Sequence, residues 1–298
     1  MKTLACIDLG TNTFHLLIVE TTDQGFREIY RKRIYVILAE NGIQTIGPAP
    51  YRRALAAIDT FSGAIAKHNP SQLKIIGTEA MRTASNGQQL ITHIQDELSV
   101  TPEIISGRRE AELIMKGTSL IVDLNIGNNL IMDIGGGSVE FILVNEGKVQ
   151  FMQSYKIGVS VLFNKYHHQD PISTKELETL EAYLEEVLTP VSSQLKELDS
   201  FNLIGASGSY EVLQSVIEKE IKSDSCSEFS ISTFLVLYKR LIKSSVNERL
   251  QIEGMPANRV ELIVVAFALI KHIVDHDQCQ KIIVSPYALK EGVLSELI

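Results

Sequence analysis

One short pattern occurs twice in this chain, once in each half. Cys6-Ile7-Asp8-Leu9-Gly10-Thr11-Asn12-Thr13 runs on into Phe14–Val19, and Ile131-Met132-Asp133-Ile134-Gly135-Gly136-Gly137-Ser138 runs on into Val139–Val144. Each is an apolar strand ending in Asp-x-Gly, then a small polar turn, then a second apolar strand. Glycine reaches the φ > 0 that tight turns need and lets backbone N–H groups approach a ligand closely. The Asp stands at the mouth of the turn, where a metal ion or a water would lie. Two such hairpins at equivalent points predict paired jaws around a phosphate chain and its metal. Gly10, Thr11 and Asn12 would line one jaw, and Gly135, Gly136, Gly137 and Ser138 the other, with Asp8 and Asp133 beside the metal.

At 298 residues the chain is long enough for two domains, or one large one with ample core. It is 45% hydrophobic and 21% charged, as soluble globular proteins are. A net charge of −8 argues against a dedicated binder of duplex nucleic acid, while leaving room for a small basic cleft. Cys6, Cys226 and Cys279 are odd in number and lack metal-ligand spacing, which fits a reduced cytoplasmic setting. The chain enters a strand after a single Lys, unlike a signal peptide. Its longest apolar run, Leu262–Ile270, is too short to span a bilayer, so no membrane partner is expected.

Periodicity predicts strands near 3–9, 13–20 and 26–38, a helix after Pro50, a strand over Leu73–Ile76, a helix near 87–98, a strand over Glu103–Ile105 and a helix near 108–123. The Gly/Asn stretch Asn125–Asn129 reads as a linker, placing a first domain at 1–124 and a second at 125–286, with a closing helix over about 287–298 free to pack back on the first. The second half repeats the plan with strands near 129–134, 138–145 and 148–156 and a hairpin turn at Glu146-Gly147. Ser173 and Glu176 form a capping box for a helix running toward Leu198 and bent at Pro190. A strand over Leu203–Ala206 leads into Gly205-Ala206-Ser207-Gly208-Ser209; two or three helices follow, one of them near 257–275 and apolar nearly all round; then come a strand over Ile282–Ser285 and a last helix. The fold class is a duplicated α/β arrangement with its ligand in the crevice between halves.

In order along essentially the whole chain, these motifs resemble the exopolyphosphatase / guanosine pentaphosphate phosphohydrolase family of the actin-like ATPase superfamily. The resemblance rests on Cys6–Leu17, Gly77-Thr78-Glu79-Ala80-Met81-Arg82-Thr83-Ala84, Ile105-Ser106-Gly107-Arg108-Arg109-Glu110-Ala111, Asp133–Glu140, Gly205–Ser209, Pro256–Ile263 and Ser285–Leu294. It implies duplicated ribonuclease H-like domains and hydrolysis of a terminal phosphoanhydride of inorganic polyphosphate or guanosine pentaphosphate. Mg²⁺ or another divalent cation would lie near Asp8, Asp133 and Glu140. Glu110, with Glu140, would position the attacking water, since phosphoryl transfer needs mostly positioning and charge neutralisation. An ATP-dependent kinase of the same superfamily and a non-catalytic phosphate sensor stay open, as does a homodimer.

Several residues carry a bland reading beside the functional one. Glu140 fits the exposed side of an alternating strand, and Glu110 fits a helix first turn, where the dipole favours a carboxylate. Arg82 is either a surface charge or a bidentate phosphate clamp. Gly205, Ser207 and Gly208 are either a bare helix N-terminus or a phosphate nest. The runs Arg31-Lys32-Arg33 and Arg52-Arg53 read as solvated faces, and Arg108-Arg109 as the basic pair best placed to line the cleft. The chain departs from the family at His15, where Arg is usual, at Arg109, where Glu is common, and at Glu261, where Asp is usual. It ends at Ile298, where many members continue into a further helical region, which leads to the expectation of short polyphosphate substrates.

Overall fold

The computed structural model describes residues 1–221 and 224–298. The first half runs β1 (Thr3–Leu9), β2 (Thr13–Thr22), β3 (Gly25–Tyr35), α1 (Pro48–His68), β4 (Gln72–Gly77), α2 (Glu79–Thr83), α3 (Gly87–Leu98), β5 (Glu103–Ile104) and α4 (Gly107–Ser119). The second runs β6 (Asn128–Ile134), β7 (Val139–Asn145), β8 (Lys148–Tyr155), α5 (Val159–Tyr166), α6 (Thr174–Val187), α7 (Thr189–Lys196), β9 (Phe201–Gly205), α8 (Gly208–Ile217), β10 (Ser227–Ser230), α9 (Ile231–Lys243), α10 (Val246–Leu250), α11 (Ile263–Val274), β11 (Cys279–Val284) and α12 (Leu289–Ser295).

The strands form two sheets of matching plan. The first has the order β3-β2-β1-β4-β5 and the second β10-β11-β9-β6-β7-β8. In each, an antiparallel three-strand meander is extended by parallel strands: β1 to β4 and β5, and β6 to β9 and β11. This is the duplicated ribonuclease H-like arrangement that the resemblance implies.

The central strands are buried on both faces, and strand parity decides what each face meets. Ala5, Ile7, Leu9, Leu16 and Ile18 pack under α1 and α3. Leu130, Met132, Phe141 and Leu143 pack under the helices of the second half. The alternate set, Leu4, Cys6, Leu17, Val19, Ile131, Ile142 and Val144, joins α4 and α12 in a shared layer between the sheets. Asp8, His15, Asp133 and Glu140 have the parity of that shared layer. Sequence alternation therefore points all four toward the space between the halves.

In that layer α12 packs against α4 and β1. The crossing with α4 depends on two glycines: a Cβ on Gly117 would collide with the Ala288 carbonyl, and one on Gly292 with the Leu113 carbonyl. Gly117→Ala should cost about 1–3 kcal/mol of stability, as overpacking does. Urea unfolding would check it, and an unchanged midpoint would show that the two helices separate without cost.

Several boundaries differ from the sequence reading. β3 stops at Tyr35, because the N–H groups of Val36, Ile37 and Leu38 bond to loop carbonyls of Asn12 and Thr11, and Ile37 takes φ 48°. The helix expected near 257–275 begins at Ile263, after turns that follow Pro256. The helix aimed at Leu198 is two helices, with Pro190 in the first turn of α7. The Glu146-Gly147 turn has φ 46° and 76°, as a tight hairpin turn requires.

Candidate active site

Both glycine loops close in the same way. Gly10 N–H donates to Thr13 O at 3.1 Å, and Gly135 N–H to Ser138 O at 2.9 Å. The loop carbonyls are tied back by neighbouring segments. Asn12 O and Thr11 O accept from residues 36–38, while Gly135, Gly136 and Gly137 O accept from Val159, Ser160 and Gly158. With these carbonyls engaged, the loops have the build of an anion-binding nest, in which the remaining N–H groups would receive a ligand. The loops also meet. A Cβ on Gly136 would lie 2.7 Å from the Asn12 side chain, and one on Gly137 2.8 Å from Thr11 Oγ1. Ser160 Oγ–H donates to Asn12 Oδ1 at 2.8 Å, while Asn12 Nδ2 is buried without a hydrogen-bond partner.

Register sets the carboxylates. Asp8 pairs with His15 across β1 and β2, and Asp133 with Glu140 across β6 and β7. His15 and Glu140 therefore hold equivalent places in the two halves. Glu110 enters from the first turn of α4, whose N-cap Ser106 accepts from Arg109 N–H. Asp8, Glu110 and Glu140 are all buried, and each acidity is shifted in the same direction. Burial pushes Asp8 up to about 6. Burial and the neighbouring Asp133 push Glu140 up to about 8, against hydrogen bonds from Ser154 and Ser138. Asp133 and Glu110 are driven well above the carboxylate range by burial, Asp133 further by Glu110 and Glu110 further by Glu140.

Four carboxylates thus crowd one buried region, each shifted toward its protonated form. Asp8 Oδ1 is buried with no hydrogen-bond partner. Among the described residues no three His, Cys, Asp or Glu side chains converge closely enough to hold a metal unaided. Hard oxygen donors of this kind still fit Mg²⁺, which keeps several waters and takes one or two carboxylates plus phosphate oxygens.

One cleft is lined by Asp8, Gly10, Thr11, Asn12, Glu110, Asp133, Gly135, Gly136, Gly137, Ser138, Glu140, Ser207 and Gly208. Gly205 and Arg82 do not line it. Gly205 lies under the Tyr210 ring, which a Cβ there would strike, so packing accounts for that glycine. Ser207 Oγ lines the cleft and also accepts from Ile134 N–H at 3.2 Å. The Arg82 guanidinium is occupied: Nε and Nη2 donate to Glu79 Oε2 at 3.0 and 2.7 Å, and Nη1 to Glu110 Oε2 at 3.0 Å and to Ile105 O. It faces a neighbouring hollow with Arg108 and Lys156 and touches the cleft through Glu110.

The cationic lining differs from the sequence expectation. Arg109 is drawn to Glu112 and Glu296, and Arg108 to Glu112, so neither lines the cleft. Arg31, Arg33, Arg259 and Lys290 line it instead. A signal for each was present. Arg31 and Arg33 pair across the strands with Leu17 and His15, which carry the cleft-side parity, and Arg259 and Lys290 stand within two of the motif segments. Glu261 is exposed in the turn before α11, away from the cleft.

Among solved structures, an exopolyphosphatase from Cytophaga hutchinsonii superposes with a TM-score of 0.94 at 34% identity, covering 99% of this chain and 97% of that one. The Ppx-GppA enzyme of Aquifex aeolicus shares the fold, with a TM-score of 0.81 at 19% identity and 99% of each chain covered. The guanosine-5'-triphosphate,3'-diphosphate pyrophosphatase of Aeromonas hydrophila is 26% identical over 297 residues, 99% of this chain. That of Aeromonas salmonicida is equally similar, and the chain spans 59% of the length of each of these two relatives. Residues 17–298, which include every lining residue from Arg31 onward, match the Ppx/GppA phosphatase family, and the chain belongs to it.

Proposed function

We propose that this chain releases terminal phosphate from inorganic polyphosphate by metal-assisted attack of water on a phosphoanhydride. One observation carries the reading: two glycine loops of matching closure line one cleft together with Glu110, Glu140, Asp8 and Asp133. The loops bind successive phosphates through backbone N–H groups. Asp8, Asp133 and Glu140 would hold Mg²⁺, which would supply neutralisation of the phosphate oxygens. Glu110, fixed by Arg82, orients the water and accepts its proton, and burial, which raises its affinity for a proton, makes it the stronger base for that step. Among the described residues no cysteine lines the cleft and no lining serine is hydrogen-bonded to His15, and direct attack by water suits what is there.

Guanosine pentaphosphate is the second reading, supported by the Aeromonas relatives. Against it, His15 is the only aromatic ring among the described lining residues, so a guanine base has little to stack on. Phosphate release from polyphosphate, guanosine pentaphosphate and ATP, assayed side by side with Mg²⁺, tests both. Polyphosphate should turn over fastest. Turnover of guanosine pentaphosphate alone would move the assignment to the second reading, and release from none would favour a phosphate sensor.

A further inference from the structure

Cations line the cleft alongside its carboxylates: His15, the cross-strand neighbour of Asp8, lies within reach of the charges of Lys290, Arg33, Arg259 and Arg31. Burial, reinforced by those cations, holds the His15 imidazole well below its usual range. A guanidinium stands next to it. Arg33 is the cross-strand partner of His15 on β3.

That guanidinium is already gripped, and from the other half of the molecule. Arg33 Nη1 donates to Glu211 Oε2 and Nη2 to Oε1, both at 2.6 Å. Glu211 lies in the first turn of α8, just past Gly208, where the helix dipole favours an anion. A carboxylate held fork to fork takes the hydrogen-bond geometry that one phosphate group of a linear substrate would use. The pair is only partly buried, with 28% and 23% of the two side chains exposed, so an entering polyanion reaches it from solvent. Arg259 and Lys290 also act on Glu211, so a displaced carboxylate keeps cationic neighbours.

We propose that Arg33 binds the phosphate adjacent to the one being removed, and that the entering substrate takes Arg33 from Glu211. The inference rests on the phosphoanhydride reading above. It assigns the scissile end of the chain to the Glu110 side and the following phosphates to the His15 side. The required chemistry is a linear run of phosphates, which polyphosphate and the 5'-side of guanosine pentaphosphate both offer.

The test is steady-state kinetics with Mg²⁺ on tripolyphosphate and, separately, on guanosine pentaphosphate. Arg33→Ala should raise KM roughly 10- to 100-fold with much less change in kcat, and Arg33→Lys should recover part of the loss. A rise confined to one substrate identifies that substrate as the source of the bound phosphates. Glu211→Gln is nearly isosteric and should lower KM by about three- to fivefold, a gain that misfolding does not produce. Wild-type turnover with KM unmoved by both Arg33 variants overturns the inference alone. So does a Glu211→Gln variant whose KM rises as much as that of Arg33→Ala, because the pair is then only a clasp between the halves. If the wild type turns over neither substrate, the hydrolase reading fails. Calorimetric binding of tripolyphosphate to wild type and Arg33→Ala then decides the inference: weaker binding by the variant upholds it, and equal or absent binding overturns it.

Discussion

Replacing Glu110 by Gln should lower kcat by about 10²–10⁴-fold and leave KM near its wild-type value. The amide keeps the shape of the side chain and loses its basicity. Glu140, its charged neighbour, reaches in from β7 rather than from α4. Folding should survive, because Arg82 keeps Glu79 as a partner, at 2.7 Å. Three outcomes are distinguishable. A fall in kcat alone assigns the proton transfer to Glu110. A rise in KM alone makes Glu110 a substrate or metal contact and passes the water to Glu140. No change in either leaves Glu110 as a buried partner for Arg82 at the start of α4.

How much of this was legible in the sequence depends on which physical rule governed each residue. The repeated Asp-x-Gly turns were readable because their chemistry is local: a glycine where the chain must turn, and an Asp one strand-step before it. The placement of Asp8, His15, Asp133 and Glu140 on facing surfaces was also available, because strand parity fixes it once the apolar residues are assigned. The same parity on β3 would have lifted Arg31 and Arg33 out of the solvated class, yet an isolated basic run gives no sign of which strand it opposes. Arg82 shows the opposite limit. Its motif marked it as important, but only tertiary packing gives its guanidinium to Glu79 and Glu110 rather than to the cleft. The short elements α2, α5 and β10 were missed because none of them shows a clear apolar run or period in so few residues, unlike the equally short apolar strands β4, β9 and β11. The early end of β3 has the same origin. Bonds from residues 36–38 to Thr11 and Asn12 override an apolar strand pattern that continues to Leu38.

Asp133→Asn should separate activity from stability in opposite directions. The carboxyl is driven well above the usual range by burial and by Glu110, so without a cation this carboxyl weakens the fold as the pH rises past its unfolded value. The sign follows from linkage. A carboxyl with a raised folded-state pKa weakens the fold once the pH passes its unfolded value, and the penalty is complete above the folded value. An amide removes that penalty, so in EDTA the variant should melt above the wild type. Activity should move the other way. Where a cation is held partly through water, losing one supporting carboxylate raises the half-saturating Mg²⁺ concentration by about 10- to 100-fold, and added Mg²⁺ restores turnover in part. Mg²⁺ should also raise the melting temperature of the wild type more than that of the variant, since the wild type has more buried repulsion to relieve. The decisive pair of measurements is a Mg²⁺ titration of turnover and a melting curve in EDTA. Wild-type turnover at low Mg²⁺ would remove Asp133 from the metal site. A variant that melts below the wild type in EDTA would show instead that the carboxylate is satisfied within the fold, and that the cleft does not depend on a cation for its charge balance.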